Sequence, residues 1–416
     1  MTQSLTRYRP YRPREVATRV TASLPRDDDH VGSGLPAAER FTIGLEEELF
    51  LVDASTLDCV SHMSPEFYRD AKAALGDQFK REIISSMVEL ITAPHTRLSA
   101  VADELVEMRA VLGNVASLHG LALLACGTHP FADWRDQTMT DKPRYDLVAG
   151  ALGTLSKRVH VCGLHIHVAI PDPARRISVM NRAQQFLPLF LALSTSSPFW
   201  RGAATGLKSY RSAANDETPR TGLPTRFSGP IEFDRYVEKL TAAGFIPDQS
   251  FLWWAIRPSL KYPTLELRIA DSCTNWRDAI AIAALYRCLV HALDSDPAIA
   301  SLWENHHYLV NNENRWQAIR FGLEANMLDP AGGPTRSVRE RTHEMVEWLQ
   351  PSAADLGCVD ELDDVIRILA HGTGAEQQTS IFDHARATGA GDIEAIKTVA
   401  ADIAELTLAA SSATYA

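Results

Sequence analysis

From residue 41 onward, apolar and polar positions follow two periods, and each predicts its own kind of element. In FTIGLEEELFLVD (41–53) they alternate: Ile43, Leu45, Leu49 and Leu51 share one side of a strand, while Glu46 and Glu48 share the other. RVHVCGLHIHVAIPD (158–172) repeats the design, with Cys162, Leu164, Ile166, Val168 and Ile170 facing one way and Gly163, His165 and His167 the other. TLELRIAD (264–271) sets Leu265, Leu267 and Ile269 against Glu266 and Arg268. Elsewhere apolar residues recur every three or four positions, which predicts helices over 97–120, 177–193, 234–244 and 277–293. Past about residue 300 nearly everything reads as helix, ending in DIEAIKTVAADIAELTLAA. Three strands of one design predict a sheet with helices over its apolar face and a polar cavity on the other.

The first 40 residues break both patterns. TRYRPYRPREVATRV is Arg-rich and interrupted by Pro10 and Pro13, and VGSGLPAAE follows it; this predicts a flexible arm. A transit peptide would need an amphipathic helix, which those prolines disfavour. The expected organisation is an arm over 1–40, a catalytic core over 41–300 and a helical part over 301–416 packed on the same domain.

Composition narrows the class. The 416 residues are 45% hydrophobic and 22% charged, enough for a sizeable buried core. No run of 18 apolar residues predicts a membrane span, and the N-terminus lacks the apolar segment of a secretory signal. The six cysteines (Cys59, Cys126, Cys162, Cys273, Cys288, Cys358) show no CxxC spacing, which predicts reduced thiols and a cytoplasmic protein. A net charge of -11 argues against a nucleic-acid surface.

Like charges on one strand face call for a cation or an arginine to relieve them. KREIISSMVELITAP (80–94) adds Glu82 and Glu89, seven positions apart. They share a side only if the segment is helical or bends near Ser85 and Ser86; the β-branched, Pro-terminated end predicts a strand at Glu89. Five glutamates (Glu46, Glu48, Glu82, Glu89, Glu266) and at least one histidine in strand-like segments fit a hard cation held by oxygen. Arginines supply the complement. The segment 206–227 carries Lys208, Arg211, Arg220 and Arg226, and Arg144, Arg257 and Arg268 add further forks suited to phosphate or carboxylate. Magnesium facing arginines is the layout of phosphoryl transfer, whose catalysis is mostly positioning and charge neutralisation. Neither a P-loop nor a dinucleotide fingerprint is present; GAATGLKS (202–209) misses the first by one residue. Two readings compete: a metal-dependent hydrolase using the His165/His167 pair, and a cysteine nucleophile, for which Cys126 and Cys162 are too deeply placed in apolar runs.

Six motifs in order resemble the type 2 glutamate-cysteine ligase-like carboxylate-amine ligases of bacteria: GLEEELFLVD, VELITAP, ACGTHPFADW, GLHIHVAIPD, SYRS with PRTGLP, and TLELRIAD, spanning residues 41 to about 295. The resemblance implies an α+β fold: a glutamine-synthetase-like domain with a mainly antiparallel curved sheet, helices on one face and the active site on the other. It implies ATP and two or three magnesium ions as cofactors. It also implies a small amino-acid or carboxylate substrate and an amine as partners, without nucleic acid or membrane, and leaves a homo-oligomer open. Carried over by position, Glu46, Glu48, Glu82, Glu89, His165 and Glu266 are the magnesium set. Arg268 becomes a phosphate contact; Arg211 and Arg220, with Lys208, neutralise transferring phosphate or hold the substrate. Glu47 receives no role. The implied reaction makes an acyl phosphate that an amine converts to an amide, with ADP and phosphate released, and the segment 206–227 is the expected lid. A nucleotide-binding homologue without turnover is the remaining alternative.

Overall fold

The alternating stretch at residues 43–53 is the middle strand of a seven-stranded sheet in the computed structural model, which describes residues 35–300 and 305–409. We label the strands β1 (Ile43–Asp53), β2 (Phe79–Arg81), β3 (Met87–Ile91), β4 (Leu121–Leu124), β5 (Gly163–Ala169), β6 (Phe199–Trp200), β7 (Ala203–Ala204), β8 (Ile256–Pro258) and β9 (Thr264–Asp271). The sheet runs β2-β3-β1-β5-β9-β8, and every pairing in it is antiparallel. β4 pairs with the far half of β1, beyond the end of β5, while β6 and β7 form a separate small hairpin. The fold is α+β, as the sequence pattern predicts.

The two faces of β1 are built differently along its length. Ile43, Leu45, Leu49 and Leu51 are buried in the main core, against the helices Leu98–Leu118 and Trp276–Ser295. On the opposite face Glu46 and Glu48 give way to Phe50 and Val52, which pack on Ile396, Val399 and Ile403 of the last helix, Asp392–Thr407. The C-terminal helix therefore closes one end of the open face, and only the glutamate end is left as a cavity.

Sequence and structure part at several points. The expected helix over 177–193 is two helices, Pro173–Ala183 and Leu187–Ser194, because Pro188 cannot donate to an unbroken ladder. The 80–94 segment is a hairpin of β2 and β3, so the bend at Ser85 and Ser86 is the correct alternative. The Arg-rich stretch up to residue 34 lies outside the described residues. Ala37–Arg40, placed in the arm by composition, forms a short helix, and buried Arg287 donates to the carbonyls of Ala38, Phe41 and Thr96 there. The helices after residue 305 add Met345, Leu349, Ile368 and Leu369 to the main core.

Candidate active site

Register sets the site. Across the sheet, Lys80 of β2 lies opposite Glu89 of β3, and Glu89 opposite Glu48 of β1; two positions along, Glu46 lies opposite His165 of β5. One step further, Gly44 faces His167, His167 faces Glu266 of β9, and Glu266 faces Arg257 of β8. Antiparallel pairing puts directly opposed side chains on one face. Residues from six strands thus form one floor.

That floor opens into two cavities. The first, about 350 Å³, is lined by Glu46, Glu48, Glu82, Glu89, His165, Arg144, Arg211, Arg257 and Arg268, with an apolar wall that includes Val148, Leu152, Val159, Val161 and Trp253. The second, about 430 Å³, lies under the β8–β9 turn; it includes Lys80, His167, Asp248, Lys261, Tyr262 and Glu266. Glu46, Arg144, Ser250 and Arg257 line both.

Electrostatics divides the carboxylates into two kinds. Burial alone would raise the Glu46 pKa, but His165 Nδ1 and His167 Nε2, each 3.5 Å from a different Glu46 oxygen, bring it far below the usual range. Glu266 is likewise lowered against its burial, by Arg268 and Arg257: Arg257 Nε donates to it at 2.8 Å, and Arg268 Nη1 bonds the other oxygen. Glu82 and Glu89 go the other way. Burial, then the charge of Glu48, pushes Glu82 up to about 7. Burial and the charges of Glu46, Glu82 and Glu48 push Glu89 well above the carboxylate range. Burial and Arg268 lower His165, whereas Glu46 and Glu266 raise His167 in spite of its burial.

Mutually repelling, partly buried carboxylates are relieved when a cation lies between them. Among the described residues, two groups can hold a cation: Glu46, His165 and Glu266, and Glu48, Glu89 and His165, each with ligand atoms within 4.8 Å of one another. Glu82 lines the same cavity without joining either group. The oxygen-rich donor set suits magnesium better than zinc. Glu266 is partly committed, since both of its oxygens already accept from arginines.

The arginines and Lys208 sort differently from the sequence reading. Arg211, on the short helix Tyr210–Asn215, lines the first cavity; it donates to the carbonyls of Arg268 and Ile269 and lies 3.7 Å from Asp271. Arg220 and Lys208 line neither cavity. Arg220 donates to the Phe251 carbonyl and stacks over Trp253, and Lys208 pairs with Glu376 at 3.1 Å. Nor is 206–227 a loose loop: it contains that helix and buries Leu223 and Phe227.

Glu47 gains a partner no sequence pattern indicated. It is wholly buried on the core side of β1, where Arg109 grips it with two nitrogens. Arg257 was legible only as a cationic fork; counting pairs back from the β8–β9 turn would have set it opposite Glu266.

The sequence profile described as glutamate-cysteine ligase family 2 matches residues 42–398. Among curated relatives, a protein of Bradyrhizobium sp. strain ORS 278, provisionally named glutamate-cysteine ligase 2, is 41% identical over 343 residues, 82% of this chain and 83% of that protein. One of the same provisional name from Rhodospirillum rubrum is 41% identical over 363 residues, covering 86% and 93%. Among solved structures, the glutamate-cysteine ligase of Francisella tularensis in complex with AMP aligns with a TM-score of 0.64 at 12% identity, covering 89% of both chains. A bifunctional glutathione synthetase from Pasteurella multocida gives 0.63 at 13% identity, covering 89% of this chain and 53% of that one. At such identities these two bear on the fold.

Proposed function

This chain belongs to glutamate-cysteine ligase family 2, and we propose that the two cavities divide its substrates, with nucleotide and acid meeting over the floor of Glu46, Glu48, His165 and Glu266. Membership makes it an ATP-dependent carbon–nitrogen ligase that forms a γ-glutamyl amide. The observation that carries the assignment of the site is the row of carboxylates and imidazole, aligned by register beneath arginines from four segments.

The chemistry follows from the electrophile. A carboxylate does not yield to an amine because oxide is no leaving group. Its oxygen therefore attacks the γ-phosphorus of ATP, and the bond from that phosphorus to the β-phosphate oxygen breaks, leaving ADP and an acyl phosphate. The amine nitrogen then attacks the acyl carbon, phosphate departs with the carbon–oxygen electron pair, and the nitrogen gives up a proton. Magnesium would be held by Glu46, Glu48, Glu89, His165 and Glu266 and would offset the repulsion between acid and nucleotide.

The chain's own residues do the rest. Glu48, Glu89, Glu46 and His165 present cation ligands from rigid strands, with Glu48 further fixed by the Gly163 N–H at 2.6 Å. Arg257 and Arg268 orient Glu266, and Thr264 Oγ1, 2.9 Å from His167 Nδ1, orients that imidazole toward Glu46. The apolar wall around Val148 and Val161 keeps water from the acyl phosphate. We assign cysteine as the amine on the names of the relatives. Family membership favours the ligase over the hydrolase reading.

The test is ADP release by the purified chain with ATP and Mg²⁺ across a panel of acids and amines, with Glu266→Gln beside it. ADP formation that requires both glutamate and cysteine and disappears in the variant is the expected result. Turnover of the same pair by the variant at the parent rate would remove Glu266 from the site.

A further inference from the structure

Four guanidinium groups line the first cavity, and three of them are already committed. Arg257 and Arg268 are bound to Glu266. Arg211 is spent on the carbonyls of Arg268 and Ile269 and on Asp271. Arg144 differs. Among the described residues it makes no ion pair; it donates to Ser250 Oγ at 2.9 Å and lies over the Phe251 ring at 4.9 Å. It sits in the first turn of the helix Pro143–Leu152, is exposed, and belongs to the few residues lining both cavities.

Position and charge point the same way. In a ligase whose substrates occupy adjoining cavities, the phosphoryl group crosses at the residues the cavities share. Those are Glu46, Arg144, Ser250 and Arg257. Of the two cations there, Arg257 has its donors on Glu266 and on the carbonyls of Ser250 and Leu252, which leaves Arg144 as the guanidinium with donors to give. One weak neutral partner costs little to release, and a planar fork matches two oxygens of a phosphoryl group.

We propose that Arg144 is a catalytic residue that contacts the phosphoryl group as it passes from ATP to the acid. In that step the acid oxygen–phosphorus bond forms as the phosphorus–oxygen bond to ADP breaks, with no proton transferred, so the demand on the protein is neutralisation of oxygens in flight. Arg144 supplies two N–H donors to them and swings from Ser250 to do so. The proposal rests on the ligase reading of the site.

The experiment compares the parent with Arg144→Ala and Arg144→Lys, reading kcat and KM for ATP, acid and amine, with guanidinium chloride added back at concentrations well below denaturing. The parent must first turn over; if it does not, the ligase reading fails before Arg144 is judged. The expected result is a fall in kcat of about 10²- to 10³-fold in Arg144→Ala, little change in the KM values, and partial recovery with guanidinium but not with sodium. Arg144→Lys should stay closer to Arg144→Ala than to the parent. Because Arg144 is exposed, the melting temperature should be unchanged. An unchanged kcat, or a defect confined to the KM of one substrate, would overturn the proposal.

Discussion

Glu47 and Arg109 form a buried, two-pronged ion pair between the central strand and the helix Leu98–Leu118. Arg109 uses all five of its N–H donors: two on Glu47, and the others on the carbonyls of Cys273, Thr274 and Thr407. It thereby ties the sheet to the turn after β9 and to the end of the last helix. The middle glutamate of the triplet is tied into the core, and its neighbours line the cavity.

That division predicts opposite behaviour from adjacent residues. Glu47→Ala should cost roughly 3–5 kcal/mol of stability, because it leaves a buried guanidinium unpaired. Glu48→Gln should fold normally and lose turnover. Urea denaturation of both variants, beside an ADP assay, checks this; a stable Glu47→Ala would show that Arg109 finds another counter-charge.

Glu89 is held against its own chemistry. Buried beside Glu46, Glu82 and Glu48, it weakens the cation-free fold. Glu89→Gln should therefore raise the urea midpoint of the Mg²⁺-free protein while abolishing the further stabilisation that Mg²⁺ gives the parent. Equal midpoints without Mg²⁺ would mean that the carboxylate is already protonated and costs nothing.

The pH dependence of cation binding follows from Glu82, raised to about 7 from an ordinary value of 4.5. The folded form holds a proton in that interval that the unfolded chain has lost, so the cation-free fold loses stability as pH climbs from 4.5 to about 7. A cation competes with the same proton, so Mg²⁺ affinity should rise between pH 6 and 8 and then level off. Calorimetric titration in buffers of differing ionisation heat would count the released protons. A flat affinity with no proton release would rule Glu82 out of the linkage.

Gly163 opens β5 because a side chain there would overlap the Arg211 guanidinium. Gly163→Ala should displace Arg211, cost about 1–3 kcal/mol and lower kcat, whereas Gly150→Ala, with open space about it, should not. Parallel denaturation and kinetic measurements on the two variants separate a local clash from a general glycine effect.

Period-two alternation was enough to read three of the sheet's strands and which of their residues share its polar face, because side-chain direction along a strand is a local property. Glu46, Glu48, His165 and Glu266 were legible on that ground, and the ordered motifs carried the family. Partnership was not local. Nothing in the chain says that Glu47 meets an arginine 62 positions on, that the short strand holding Arg257 registers against Glu266, or that Arg220 and Lys208 turn away to Trp253 and Glu376. Sequence determined the faces, since covalent geometry fixes them. Only the tertiary structure decided which charges face one another, since hydrogen-bond register between strands and packing between distant helices set those distances.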